Sequence, residues 1–249
     1  MTLLDLLDGV VPADRPVRIV DVGAGTGTLS LAALERWPNA RVVAVDPSAR
    51  ILDLAEAAAD KRGLCDRLQT EVGDAARLPL ADASVDVAMT TFVLQLVPNR
   101  SAAVREAFRV LRPGGTFACL TWRANEEPFE ATLAFETAAE ELDIHLPDRP
   151  DGPGRAYSTA EGAAAELRRA GFRSVRPREQ WLEHRFTPRS YLDVLEHWIE
   201  DDVFEALDEP MRQRLRATAL RRLERLDPES LVWRRPLVGV VGRRPEQTA

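Results

Sequence analysis

Short apolar runs that end at turn signals dominate the first half of the chain. The first starts at Val17, the second is Ala40–Asp46, the third starts at Leu68 and ends near Val72, and two more lie within Ser84–Pro98 and Glu106–Trp122. The second run is β-branched and does not alternate with polar residues, which is typical of a parallel strand buried on both faces. Amphipathic helical patterns separate the runs. The first half therefore predicts an α/β fold with a parallel sheet.

The second half predicts two further strands, Phe172–Phe186 and Leu231–Arg243. The helix before the first of them is expected to begin with a capping box of Ser158 and Glu161 and to end at Gly171. Residues 125–157 and 187–228 carry helical patterns that the sheet does not need.

We predict one domain over residues 1–249, with a ligand-binding core in residues 1–122. The segments 125–157 and 187–228 are interpreted as a helical cap that closes a substrate pocket. The alternative is that these segments pack on each other and widen the core.

The sequence IVDVGAGTGTLS, residues 19–30, is the most informative stretch for function. A strand carrying Asp21 is followed by Gly23, Gly25 and Gly27, and a helix is expected to start at Thr28. Glycine lacks a Cβ, so a ligand can lie against bare backbone, and a helix amino terminus favours a negative group. A dinucleotide fingerprint would need a third glycine at position 28, which argues against a nicotinamide dehydrogenase. A tight turn that packs a helix on the sheet is the alternative.

Three further features follow in order: Asp46 at the end of the second strand, Gly73-Asp74-Ala75 after the third, and Pro113-Gly114-Gly115 before the fifth. Gly114 and Gly115 are both expected to have positive φ. Together with the glycine turn, this order over residues 17–122 resembles class I S-adenosylmethionine (SAM)-dependent methyltransferases. The similarity is greatest to the small-molecule branch that includes the ubiquinone/menaquinone-biosynthesis type. It implies a Rossmann-like seven-stranded sheet of order 3-2-1-4-5-7-6 with an antiparallel last strand.

The resemblance implies SAM as the cofactor and assigns residues to its site. Asp21 would lie near the methionine end, Asp46 would accept bonds from the ribose hydroxyls, and Asp74 would bind the adenine amino group. The full predicted cofactor set is Asp21, Gly23, Ala24, Gly25, Gly27, Asp46, Pro47, Asp74, Ala75, Thr90, Thr91 and Gln95.

Aromatic and histidine residues are the candidates on the substrate side. The predicted substrate pocket contains Phe92, Trp122, Tyr157, Tyr191 and Trp198. Trp122 is expected to form an aromatic wall, with a hydrophobic plug as the alternative. His145 and His197 are the candidate general bases, although a lone histidine is more often structural or solvated.

Composition narrows the function further. The 249 residues have a net charge of −7, and the arginine run 212–225 alternates with leucines at helical spacing, as in an amphipathic helix with a solvated face. Both observations argue against a nucleic-acid partner. The two cysteines, Cys65 and Cys119, lack metal-ligand spacing, so no metal is expected. No membrane-length apolar run or secretory signal is seen, which predicts a cytoplasmic protein.

These observations predict metal-independent methylation of a small molecule, with oxygen or carbon acceptors preferred over nitrogen. A catalytically silent methyltransferase-fold partner or SAM-binding subunit is the alternative. The sequence before Val17 is short compared with relatives that carry an amino-terminal lid helix. The lid is then missing, replaced by the cap segments, or supplied by a second subunit in a homodimer.

Overall fold

The computed structural model describes residues 2–12, 14–125, 127–147 and 156–246. These residues divide into two compact units. The sheet unit comprises the described residues within 1–124, 152–180 and 236–249, and the helical unit comprises those within 125–151 and 181–235. Each unit has hydrophobic core clusters of its own.

Seven strands form one sheet of order β3-β2-β1-β4-β5-β7-β6. They are β1 (Val17–Val22), β2 (Ala40–Asp46), β3 (Leu68–Val72), β4 (Val85–Thr91), β5 (Leu111–Trp122), β6 (Arg173–Arg185) and β7 (Val232–Arg243). Strands β1 to β5 pair in parallel, and β7 runs antiparallel to β5. The predicted fold class and strand order are confirmed. Because β1 to β5 are parallel, their carboxyl ends share one edge of the sheet.

The α-helices are α1 (Leu3–Leu7), α2 (Thr28–Arg36), α3 (Ala49–Lys61), α4 (Arg100–Val110), α5 (Glu130–Glu140), α6 (Ala160–Arg169), α7 (Pro188–Val194), α8 (Asp201–Ala206) and α9 (Glu209–Leu223). The predicted start of α2 at Thr28 is confirmed. Ser48 caps α3, with its side chain accepting from the Ile51 amide. In the sheet unit, α1 to α4 and α6 connect or flank the strands, and α5 and α7 to α9 belong to the helical unit.

The central strands β1, β2, β4, β5 and β7 are buried on both faces of the sheet, whereas the edge strands β3 and β6 are more exposed. In β1, Val20 and Val22 belong to one core cluster, and Val17 and Ile19 belong to the other. Alternate residues of a strand point to opposite faces, so covering both faces requires apolar side chains at successive positions. This explains why the strand runs lack alternation in the sequence.

Local predictions are wrong at two places in the chain. Thr159, not Ser158, caps α6 by accepting from the Gly162 amide at 3.0 Å. The third helical residue is then Gly162, which has no side chain, so the expected capping box with Glu161 cannot form. Pro113-Gly114-Gly115 lies within β5 and not before it, and of its two glycines only Gly114 has positive φ, at +77°.

The helical unit is built on amphipathic helices. Tyr191 and Leu192 of α7 and Leu215 and Leu223 of α9 are buried in its core. Helix α7 begins with Thr187 as its N-cap, which accepts from the Ser190 amide, and with Pro188 at the first helical position. Three arginines of the 212–225 run form ion pairs with the unit's own carboxylates: Arg212 with Glu209, Arg216 with Glu196 and Arg222 with Glu141.

Candidate functional site

The glycine turn between β1 and α2 combines tight packing with open backbone. Gly23, Gly25 and Gly27 have φ of +72°, +54° and +79°, a region that favours glycine. A Cβ added to Gly23 would lie 2.3 Å from Val93, and one added to Gly27 would lie 2.8 Å from Ala55. A Cβ on Gly25 would meet nothing within 4 Å. The outer glycines are therefore required by packing, whereas Gly25 presents bare backbone to open space.

Asp46, the last residue of β2, holds this turn in place. Its carboxylate accepts from the Gly25 amide and from the Ser48 amide, both at 3.0 Å. The side chain is buried, and each of its oxygens has one of these bonds. A carboxylate has about four acceptor positions, so Asp46 retains the capacity to accept from a ligand's hydroxyl groups.

Asp21, near the end of β1, is a buried carboxylate that was recognised in the sequence. It is 1% exposed and accepts a hydrogen bond of 2.6 Å from the Ser30 hydroxyl. Burial raises the pKa of Asp21 to about 7, and the nearby charge of Asp46 acts in the same direction. A cation beside Asp21 would stabilise its charged form. Sequence reasoning missed Ser30, although its polar side chain between Leu29 and Leu31 is a signal.

The Gly73-Asp74-Ala75 loop lies next to the carboxyl end of β2, because the Gly73 amide donates to the Asp46 carbonyl at 3.1 Å. Asp74 is exposed, and its carboxylate accepts from the Ala76 amide at 2.6 Å. The loop backbone is closely packed, since a Cβ on Gly73 would lie 2.6 Å from Pro79.

The carboxyl end of β4 contributes two threonines with different surroundings. The buried Thr90 hydroxyl donates to the Val22 carbonyl at 2.8 Å and so ties β4 to the start of the glycine turn. The Thr91 hydroxyl is buried and has no hydrogen-bond partner in the part of the chain that the structure describes. Such a group usually requires an explanation, and a bound ligand is one.

Phe92 follows with a φ of +56°, which is uncommon for a bulky residue. Its ring stacks on Trp122, the last residue of β5, with centroids 4.5 Å apart. The Gln95 side chain donates to the Phe92 carbonyl at 2.7 Å and accepts from the Thr121 hydroxyl at 2.5 Å. Gln95, predicted to bind the cofactor, thus makes its observed bonds within the protein. Sequence reasoning missed the role of Thr121, since nothing in its neighbourhood marks it.

The remaining predicted residues lie in varied surroundings. Ala24 donates its amide to the Val45 carbonyl, and Pro47 is exposed beside Asp46. Tyr157 belongs to the sheet unit, where it is buried in the core beneath Arg100, whose guanidinium lies 3.8 Å from the ring centroid. Burial raises the pKa of Tyr157.

The other substrate-side candidates lie in the helical unit. Tyr191 is buried and hydrogen-bonds Thr132 at 2.7 Å, and burial raises the pKa of Tyr191 to about 12. His197 and Trp198 lie on a π-helical turn, Leu195–Ile199, and both are exposed, Trp198 to 81%. His145 is exposed in the loop after α5.

Within the described residues, no cluster of three or more His, Cys, Asp or Glu side chains could hold a metal ion. Cys65 is exposed and Cys119 is buried, and burial raises the pKa of the Cys119 thiol to about 12. In the same part of the chain, no helix combines the length and apolar character needed to cross a membrane.

The architecture and the carboxyl-edge geometry agree with the comparison to known families. A family model described as a methyltransferase domain matches residues 20–119, which carry the glycine turn, Asp46 and residues 92–99 between β4 and α4, here called the Phe92 loop. The malonyl-[acyl-carrier protein] O-methyltransferase of Methylococcus capsulatus is 33% identical over 239 residues, which cover 92% of this chain and 73% of that relative. The chain belongs to the class I SAM-dependent methyltransferase family.

The chain is also similar to a second relative and to a solved structure. The ubiquinone/menaquinone biosynthesis C-methyltransferase UbiE of Rubrivivax gelatinosus is 36% identical over 167 residues, which cover 64% of this chain and 63% of UbiE. The chain thus spans less than two thirds of that relative's length. Among solved structures, the YcgJ protein of Bacillus subtilis has a TM-score of 0.64 at 18% identity and covers 98% of both chains. At this identity the similarity shows the fold alone.

Proposed function

We propose that this protein is a SAM-dependent methyltransferase that methylates a small-molecule acceptor. The observation that carries the proposal is the open backbone of Gly25, whose amide donates to the buried carboxylate of Asp46, together with a second buried carboxylate, Asp21, on the strand that leads into the same turn. Bare backbone, ribose-binding acceptor capacity and a carboxylate whose charged form needs a cation together suit an adenosyl amino acid with an ammonium group.

The chain's own residues divide the work of binding. Asp46 would accept hydrogen bonds from the ribose hydroxyls, with Pro47 beside it. The amino-acid portion of the cofactor would lie against the backbone of Gly23 to Gly27. Asp21 would face the ammonium group, and Asp74 with the Ala75 amide would take the adenine. Thr90 and Thr91 would border the transferred group. The bound cofactor supplies an electrophilic methyl group on a sulfonium.

The acceptor is proposed to react through oxygen or carbon. Both named relatives, an O-methyltransferase and a C-methyltransferase, support this preference. An oxygen or carbon acid needs deprotonation, and His145 and His197 are the proposed bases. Tyr191 does not suit this role, because its raised pKa keeps it protonated near neutrality.

The helical unit is proposed to select the acceptor. It lies outside residues 20–119, which the family model matches. Variation outside the shared part is where differences in substrate are expected, because the fold supports many acceptors. Tyr191 and Trp198 are its proposed pocket residues.

Calorimetric titration with S-adenosylhomocysteine (SAH), with NAD as the comparison ligand, tests the proposal. We expect micromolar binding of SAH alone and its loss in Gly25→Val, because the added side chain would fill the open space. Gly63→Val is a matched control, since Gly63 has φ of +66° and likewise has nothing within 4 Å of an added Cβ. It should keep its affinity for SAH.

Two results would contradict the proposal. Absence of SAH binding to the wild-type protein would remove the cofactor site. SAH binding without methyl transfer from radiolabelled SAM to any of a panel of phenol, enol and carboxylate acceptors would favour the silent-partner alternative.

A further inference from the structure

The Phe92 loop carries a backbone conformation that a core aromatic residue would not need. Its φ of +56° is rare for a bulky side chain, and residues in such regions persist only where the surroundings determine them. They cluster at functional sites. The ring is only partly buried, and it lies at the carboxyl edge of the sheet, where ligands bind in open α/β folds.

A buried polar relay holds this conformation. The Phe92 amide donates to the Leu120 carbonyl at 2.9 Å, so one side of the residue is fixed to β5. The Gln95 amide group donates to the Phe92 carbonyl, and the Thr121 hydroxyl donates to Gln95. Gln95 and Thr121 are 7% and 1% exposed. Both backbone groups of Phe92 are therefore tied to the strand that ends in Trp122.

The Phe92 loop also contacts the glycine turn between β1 and α2. Val93 fills the space next to Gly23, where an added Cβ would lie 2.3 Å away. One dipeptide thus packs against the glycine turn through Val93 and stacks on Trp122 through Phe92. A shift of this loop would move the aromatic pair relative to the backbone proposed to hold the cofactor.

We propose that Gln95, fixed by Thr121, is a positioning residue that holds Phe92 against Trp122 so that the two rings form the acceptor platform. This inference rests on the proposed function. Both rings pack against the core with part of their surface and are only partly buried. The π surface that they leave open carries no charge, so it favours an acceptor with a flat, conjugated face over a saturated one of equal size. Gln95 acts through Phe92 and not by contact with the cofactor.

Fluorine NMR of protein labelled with 5-fluorotryptophan tests the relay directly. The Trp122 resonance is identified by its loss in Trp122→Phe. Thr121→Val removes the hydroxyl at nearly constant volume and should shift that resonance, because the stacked Phe92 ring moves. Thr121→Ser should restore the wild-type position. Thr116→Val, at a buried threonine of the same strand, is the control and should leave the Trp122 resonance unshifted.

Acceptor preference gives the second readout. With saturating SAH, calorimetry compares 1-naphthol with its saturated counterpart decahydro-1-naphthol. We expect the wild type and Thr121→Ser to bind 1-naphthol about fivefold more tightly, the scale of one aromatic contact, and Thr121→Val to lose this preference. The SAH affinity of Thr121→Val should stay near that of the wild type.

The outcomes distinguish a failure of the proposed function from a failure of the positioning role of Gln95. Absence of SAH binding overturns the proposed function, and this inference with it. If the wild type binds SAH but binds 1-naphthol and decahydro-1-naphthol with equal affinity, the inference alone is overturned. An unshifted Trp122 resonance in Thr121→Val also overturns the inference alone. If Thr121→Val does not fold, Gln95→Met makes the same test. Failure of both variants to fold would show a structural role and would also overturn it.

Discussion

The sheet unit and the helical unit present their polar groups in different ways. At the carboxyl edge of the sheet, buried carboxylates pair with main-chain amides and a hydroxyl: Asp46 accepts from the Gly25 and Ser48 amides, and Asp21 accepts from the Ser30 hydroxyl. In the helical unit, His197 and Trp198 stand exposed on a π-helical turn. A site made of backbone tolerates few substitutions, because each change alters φ or a close contact. A surface made of exposed side chains tolerates many and can be adapted to a new acceptor.

The largest effect on folding is expected at the glycine turn. Gly23→Ala should destabilise the protein by about 3 kcal/mol, since it adds left-handed strain of about 1–2 kcal/mol and an overpacking cost of about 1–3 kcal/mol against Val93. Gly25→Ala should cost only the strain. Urea denaturation of the two variants measures the difference.

A double variant shows whether overpacking is the cause. Gly23→Ala combined with Val93→Ala should recover much of the overpacking cost, because the two positions are in contact. Equal destabilisation by Gly23→Ala and Gly25→Ala would contradict the distinction between a packed glycine and an open one.

The next effect is a pH dependence that comes from Asp21. Its pKa is about 7 in the folded protein, against 3.8 for an ordinary aspartate. Between these values the folded state holds a proton that the unfolded chain has released, so the contribution of Asp21 to stability is present below about pH 4 and is lost as the pH rises to about 7. Asp21→Asn should therefore be more stable than the wild type at pH 8, and this advantage should shrink at pH 4.

Ligand binding should show the reverse trend. If the SAH ammonium group faces Asp21, binding favours the ionised carboxylate, and the affinity should rise with pH up to about 7 by as much as about tenfold per unit. Titration in buffers of different ionisation enthalpy measures the released proton. Asp21→Asn should bind weakly and with little dependence on pH over that range. A wild-type affinity that does not change between pH 5 and 8 would argue against this role of Asp21.

The contrast between the two regions also explains what the sequence could predict. Apolar runs predict the positions of the strands, and the glycine spacing predicts the helix start at Thr28. The strand order follows from the family resemblance. Each of these signals lies in a short stretch of sequence or in the order of such stretches along the chain. Asp21 and Asp46 could be recognised because a carboxylate at a strand's end occupies a fixed place at the sheet edge.

Features that depend on contacts between distant residues could not be predicted. The left-handed conformation of Phe92 depends on Leu120 and on Gln95, which Thr121 fixes from another strand. Tyr157 was predicted to lie in a pocket, but the structure places it in the core under Arg100, a contact that spans 57 positions. An aromatic residue has the same appearance in a sequence whether it lines a pocket or fills a core.

The smallest effects are expected in the helical unit, where a buried aromatic residue, Tyr191, can be compared with an exposed one, Trp198. Tyr191→Phe removes the hydroxyl bonded to Thr132 and should cost about 1 kcal/mol in urea denaturation. Trp198→Ala removes a side chain that is 81% exposed and should change stability by no more than about 0.5 kcal/mol. Neither should change SAH affinity, because the helical unit is proposed to select the acceptor. If Trp198→Ala weakened SAH binding as strongly as Gly25→Val, this division of labour would be wrong, and the exposed π-helical turn would have to be counted as part of the cofactor site.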